Sequence, residues 1–245
     1  MNRVTILVMA LTGAFSTLYS CGATPEEQDD HPVSENVRGH ENTEWSISYA
    51  YHMSDNKKTL PRVLLVGDSI CENYQSGVCT ALEGKMSVSY WASSYCVTSP
   101  CYLKFLSIYL DEAEYSVIHF NNGCHSLSTA NGDWEKGLRA AFALIKLKQP
   151  MAKIVWATTT PNRNETNNAK ILELNAIAAK VVTDIKDIFV DDLYSLMHPL
   201  DRTAYWRDDF HFKPDAIAMQ VNQVVERCLK AKEYDEGQVP VLMVE

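Results

Sequence analysis

The sequence has no C-x-x-C pair, and none of its Cys/His spacings matches a zinc motif, so neither a thioredoxin-like redox centre nor a structural zinc site is indicated. It has no G-x-S-x-G, the nucleophile elbow of the larger α/β-hydrolases. It lacks an excess of base. Lys and Arg number 22 against 31 Asp and Glu, a formal charge of −9, which argues against a nucleic-acid binder and against docking on anionic membranes. Beyond the N-terminal twenty residues no apolar run is long enough to span a bilayer. No internal repeat and no second-domain boundary are visible. What is present is ordinary globular composition, 46% hydrophobic and 22% charged over 245 residues, enough chain for one large domain with a buried core.

The negative charge is unevenly placed. Between Gly22 and Trp45 stand seven acids and one base, Arg38, and from Glu233 to Glu245 four acids and no base. Residues 46–232 hold 20 acids and 20 bases, an electroneutral body. The sequence therefore divides into residues 1–21, an acidic tether at 22–45, a globular domain at 46–232 and an acidic tail at 233–245. The tether's PEEQDDHPVSEN is polar, proline-containing and without hydrophobic periodicity.

The chain opens with a short basic start and the apolar run VTILVMALTGAF, followed by Leu18-Tyr19-Ser20-Cys21-Gly22. This resembles a bacterial lipoprotein signal. The resemblance implies cleavage before Cys21, lipid attachment to Cys21, and an exported protein facing the outer membrane or periplasm, with the acids after Cys21 resembling the surface-export signal of Bacteroidetes-type lipoproteins. A plain secretory signal cut after Ser20 or Ala23 is the alternative, and in either case the acidic run reads equally well as a solubilising linker.

Short apolar runs at Arg62–Val66, Met86–Ala92, Tyr115–Asn121, Lys153–Thr158 and Asp187–Asp191 predict strands covered on both faces. Helical spacing fills the gaps at Glu72–Gly84, Tyr102–Ala113, Trp134–Lys148, Asn167–Ile185 and Pro214–Lys232, with Leu138, Ala141, Phe142 and Ile145 forming an amphipathic stripe. Asp133 and Asn167 suit helix N-caps, and Pro214 a helix first turn. The alternation predicts an α/β/α sandwich around a five-stranded parallel sheet, with chemistry at the carboxyl ends of the strands.

Gly67-Asp68-Ser69-Ile70 follows the first of those strands, and Asp208-Asp209-Phe210-His211 precedes the last helix. A serine becomes a nucleophile with a base beside it, and a histidine base needs an acid to hold its tautomer and stabilise its cation. With Asp208 three residues before His211, one turn can present both. The order and positions resemble the SGNH, or GDSL, hydrolases over roughly residues 60–232. The resemblance implies a flavodoxin-like fold, a Ser69–His211–Asp208 triad, no metal and no cofactor.

Two blocks depart from that family's pattern. Where G-x-N-D is usual, this chain has Asn121-Asn122-Gly123-Cys124-His125-Ser126. Gly123 matches, His125 takes the place of the oxyanion-binding Asn and Ser126 that of the Asp, so His125 or Asn122 is expected to donate to the oxyanion. The other block, Ala92 to Cys101, has no glycine; Ser94 or Tyr95 is expected to present the backbone N–H. Thr158-Thr159-Thr160-Pro161-Asn162-Arg163 lies at the same rim. Trp206 and Tyr205 are candidates for stacking on a sugar ring, whereas Trp156 and His119, inside strands, read as core. His52 and His198 show no partner pattern. Six cysteines remain after Cys21, and in an oxidising compartment Cys71, Cys96, Cys101 and Cys124 could bridge at the rim, Cys96–Cys101 being the shortest closure. A cysteine nucleophile paired with His211 explains less of the pattern than Ser69.

The resemblance implies a serine esterase acting on an O-acylated carbohydrate, most simply its O-acetyl groups. Alternatives are a lipase, lysophospholipase or thioesterase on the same fold, or a non-catalytic carbohydrate-binding lipoprotein.

Overall fold

The computed structural model describes residues 43–51 and 60–234. The signal, most of the tether, His52 and nearly all of the acidic tail lie outside those residues. The five expected strands form the parallel part of one sheet. They are β2 (Arg62–Gly67), β3 (Ser87–Ser93), β4 (Val117–Phe120), β5 (Lys153–Ala157) and β6 (Ile188–Asp191). Their spatial order is β3-β2-β4-β5-β6, each neighbour parallel.

A sixth strand, β1 (Ser46–Ala50), extends the sheet by pairing antiparallel with β3, Ser46 opposite Ser93. The expected count of five thus falls one short. Four of the five residues of β1 are exposed, so its sequence, SISYA, carries no core signature. Main-chain pairing holds it, aided by the Trp91 indole N–H donating to Ser46 Oγ at 2.8 Å.

Strand alternation builds two cores. Val63 and Leu65 of β2 join Tyr74, Val78 and Val224 on one face, under α1 (Ser69–Ala81) and α7 (Pro214–Glu233). Leu64 and Val66 join Leu106, Leu138 and Leu174 on the other, under α2 (Tyr102–Asp111), α3 (Asn131–Lys148) and α4 (Glu165–Ile185). Short helices α5 (Leu193–Met197) and α6 (Arg202–Tyr205) lead into the last loop. Among the described residues no helix is long and apolar enough to cross a membrane.

Helix starts differ from expectation where local hydrogen bonding outranks hydrophobic spacing. Asn164, not Asn167, caps α4, its side chain accepting from the Thr166 and Asn167 amides. Asp133 sits inside the first turn of α3 and makes no cap. Pro214 opens α7 as expected.

One polar cluster lies within the first core. His119 Nε2 is 2.8 Å from Asp191 Oδ2, both side chains fully buried. The Gln223 amide donates to Asp191 Oδ1 at 2.7 Å, and Tyr74 Oη is 3.4 Å from His119 Nδ1. His119 is the satisfied core residue its mid-strand position suggested.

Candidate active site

Ser69 is the first residue of α1, three positions earlier than hydrophobic spacing placed that helix. Asp68 makes the difference. It stays extended after β2, and its Oδ1 accepts from the Ile70 amide at 2.9 Å, an N-cap that starts the helix at once. The Ser69 N–H is therefore one of the first-turn donors with no acceptor inside the helix, at the positive end of its dipole.

His211 comes from the far end of the chain. Its Nε2 is 2.8 Å from Ser69 Oγ, and its Nδ1 is 2.9 Å from each oxygen of Asp208. A carboxylate only accepts, so the ring proton sits on Nδ1 and the Nε2 lone pair faces the serine hydroxyl. The loop between them is closed locally. The Phe210 and His211 amides donate to Asp208 Oδ1 at 2.9 and 2.8 Å, and the Arg207 amide donates back to the His211 carbonyl at 2.8 Å. Partial burial pushes the Asp208 carboxyl up, but those two amides and the His211 ring more than offset it and hold the group well below the usual carboxylate range. The carboxylate keeps its charge with 47% of its side chain exposed.

The block after β4 forms a tight turn. A Cβ on Gly123 would collide with the Thr159 side chain, so only glycine allows the two loops to approach this closely. His125 sits on a short 3₁₀ turn, Cys124–Ser126, with its ring edge-on to Trp45 at 6.0 Å between centroids. Asn122 points the other way. Its amide donates to the Tyr95 carbonyl at 2.9 Å, while its carbonyl accepts from the Val97 amide at 3.1 Å and the Ser126 hydroxyl at 3.2 Å. This corrects the expected oxyanion role of Asn122: its carbonyl and an amide N–H fasten the neighbouring loop. Ser126 is fully buried and bonds Cys96 Sγ at 3.2 Å as well.

Ser94 is corrected for a similar reason. Its N–H donates to the Trp45 carbonyl at 3.1 Å, its Oγ accepts from the Trp45 amide at 2.8 Å, and its hydroxyl donates to Glu44 at 2.7 Å. No donor is left for a substrate. The next amide along the loop, that of Tyr95, makes no hydrogen bond among the described residues. Glu44 and Trp45, at the end of the expected tether, are thus part of the folded rim, which sequence reasoning missed. Trp45 stands in an acidic, aperiodic stretch, so only its aromaticity could have flagged it.

Thr159 is buried beneath Gly123, and Thr158 Oγ1 bonds Asp192 at 3.0 Å. Thr160 lines a narrow cavity with Asp68, Cys71, Tyr74, Asn121 and Cys124. Arg163 braces the triad loop, its amide donating to the Asp209 carbonyl at 2.9 Å. Trp206 cannot stack on a sugar: it is 2% exposed, packed on Phe212 and covered by Arg202. Trp156 is core, as expected. His198 stacks on Tyr194.

The six described cysteines are free thiols, so the expected rim disulfide, Cys96–Cys101 included, is corrected. Cys96 is buried among the Thr98, Ser126 and Thr129 hydroxyls, whereas Cys101 is exposed. Burial pushes the Cys71 and Cys124 thiols up, which keeps them protonated and leaves Ser69 as the group His211 addresses. Among the described residues no group of three or more His, Cys, Asp or Glu could hold a metal ion.

No protein-family model matches the chain, and no curated protein matches it in sequence. Solved structures do match in fold. An acetyl xylan esterase superposes with a TM-score of 0.58 at 16% identity, covering 67% of this chain and 98% of its own. A carbohydrate esterase family 3 protein from Talaromyces cellulolyticus gives 0.58 at 12% identity, with 72% and 100% covered. A member of the lipolytic G-D-S-L family from Veillonella parvula gives 0.56 at 14%, with 67% and 96% covered. The α/β/α sandwich is the fold these proteins share.

Proposed function

We propose that this chain, built on the SGNH/GDSL hydrolase fold, is a serine esterase that removes O-acetyl groups from a carbohydrate. One observation carries the reading: a single imidazole joins the Ser69 hydroxyl on one nitrogen to the Asp208 carboxylate on the other. Ser69 Oγ attacks the ester carbonyl as His211 Nε2 takes its proton, and Asp208 stabilises the imidazolium that forms. The oxyanion is met by the Ser69 amide at the helix N-terminus, by the Tyr95 amide and by the His125 ring. His211 returns the proton to the departing sugar hydroxyl, and a water activated by the same nitrogen then releases acetate from the acyl-enzyme. The carbohydrate esterases among the structural neighbours support the substrate class.

Acetate release from acetylated oligosaccharides tests this. Wild type should turn over, and Ser69→Ala should retain the fold and lose ~10⁴ or more in kcat. Equal rates for the two proteins would remove the esterase reading.

The export reading stands beside it: Cys21 takes a lipid and holds the domain at an exported membrane face. Incorporation of labelled palmitate should disappear in Cys21→Ala, and equal incorporation by both proteins contradicts the anchor.

A further inference from the structure

The backbone of Trp45 is held by both ends. Ser94 gives its N–H to the Trp45 carbonyl, receives the Trp45 N–H on its hydroxyl, and passes its own hydroxyl proton to Glu44. Two bonds fix the main chain of Trp45 and the third ties Glu44 beside it, at the head of a strand, β1, that has four exposed residues of five. Fixing a residue costs backbone and side-chain entropy, and the apolar core gained from β1 offsets little of it. The ordering serves the position of Trp45.

That position follows from the sheet. β1 runs antiparallel to β3 with Ser46 opposite Ser93, so β1 begins at the carboxyl rim, where β3 ends. In the sheet order, β2 lies between β3 and β4. Trp45 hangs from the β3 side, His125 from the turn after β4, and their rings touch. The contact therefore spans the end of β2, where Ser69 begins α1. Trp45 packs against the first core and is buried only in part, so the residue keeps some surface open to solvent at the rim. Trp206, the tryptophan that looks like a sugar platform from the sequence, lies in the core at 2% exposure, as Trp156 does at 1%. Trp45 is the indole left at the mouth.

We infer that Trp45 is a substrate-contacting, specificity-determining residue: its indole, clasped by Ser94 and braced by His125, takes the C–H face of the pyranose ring that bears the ester. The inference rests on the esterase reading for its substrate class. It is separable from that reading, because ring binding does not require turnover. An indole suits such a contact because it offers a large, rigid apolar face at low entropic cost.

The test compares xylose tetraacetate with ethyl acetate, whose alcohol is too small to reach a platform. Trp45→Ala keeps all three clasp bonds, since none of them uses the side chain of residue 45. Its ratio of kcat/KM for the sugar ester over ethyl acetate should fall about tenfold, an effect in KM more than kcat, with Trp45→Phe recovering most of it. An unchanged ratio, with both esters slowed alike, makes Trp45 a packing residue and overturns the inference. Calorimetric titration of the Ser69→Ala protein with xylooligosaccharide separates the two readings. Heat that is lost on adding Trp45→Ala supports the platform whether or not the wild type hydrolyses esters. Equal heat in both proteins, or none in either, removes it.

Discussion

Two histidine–aspartate pairs lie among the described residues, nearly equal in length and unlike in burial and in sequence separation. His119 and Asp191 meet at 2.8 Å with both side chains fully buried, 72 residues apart in sequence. His211 and Asp208 meet at 2.9 Å, three residues apart, with 23% and 47% of their side chains exposed. The first pair presents its other nitrogen to a buried tyrosine hydroxyl at 3.4 Å, the second to the Ser69 hydroxyl at 2.8 Å. The partner on the other nitrogen, and how far the pair is exposed, separates a buried strut from the relay we propose.

The comparison breaks hardest at Asp208. Asp208→Asn should leave folding intact and lower kcat by ~10³–10⁴, because the amide no longer holds the proton on Nδ1. Steady-state kinetics beside a circular-dichroism melt would show the split, and a variant within a few-fold of wild type would make the pair a mere turn. Asp191→Ala should do the reverse. It leaves His119 and Gln223 without their buried acceptor and should cost about 3–5 kcal/mol of stability in urea unfolding, with per-molecule kcat near wild type. Replacing both partners, His119→Leu with Asp191→Leu, should recover part of that loss, since the imidazole is no longer stranded and only the Gln223 amide and the Tyr74 hydroxyl lose a partner.

A pH profile sharpens the same contrast. The folded-state pKa of Asp208 is depressed, so its stabilising contribution is present above the ordinary carboxylate range and is lost only as pH falls through the lowered value. The Asp208 carboxylate therefore stays charged throughout moderate pH and adds no step there. The acid limb of kcat/KM should follow a single proton, and a two-proton slope would contradict the assignment. The smallest effect concerns neither pair. Because the six described cysteines are free, a reductant should leave the Tm of the domain unchanged, and a drop of several degrees would reveal a bridge.

The hydrogen-bonded row of Ser69, His211 and Asp208 was legible because its acid and imidazole share one turn and its serine follows a strand that reads plainly as apolar. The five core strands were legible for the same reason: RVLLV and KIVWA announce two-sided burial. The buried pair joins β4 to the end of β6, a proximity that only the assembled sheet creates. β1 escaped notice because main-chain bonds hold it, and those leave no trace in side-chain pattern. Asn122 and Ser94 had the right chemistry in the right loops. Their partners, Val97, Tyr95 and Trp45, were fixed by packing that no local spacing encodes.

The contact between Gly123 and Thr159 has a consequence for how such a chain can vary. A side chain at 123 would meet both Oγ1 and Cβ of Thr159, so trimming Thr159 to alanine would not make room for it. The two positions are bound to each other across the sheet: a larger residue at 123 calls for glycine at 159, or for a loop rebuilt around both. Sequences that drift at one position while keeping this turn should have moved at the other too. A pairwise exclusion of that kind leaves a record in inheritance long after the individual residues have changed.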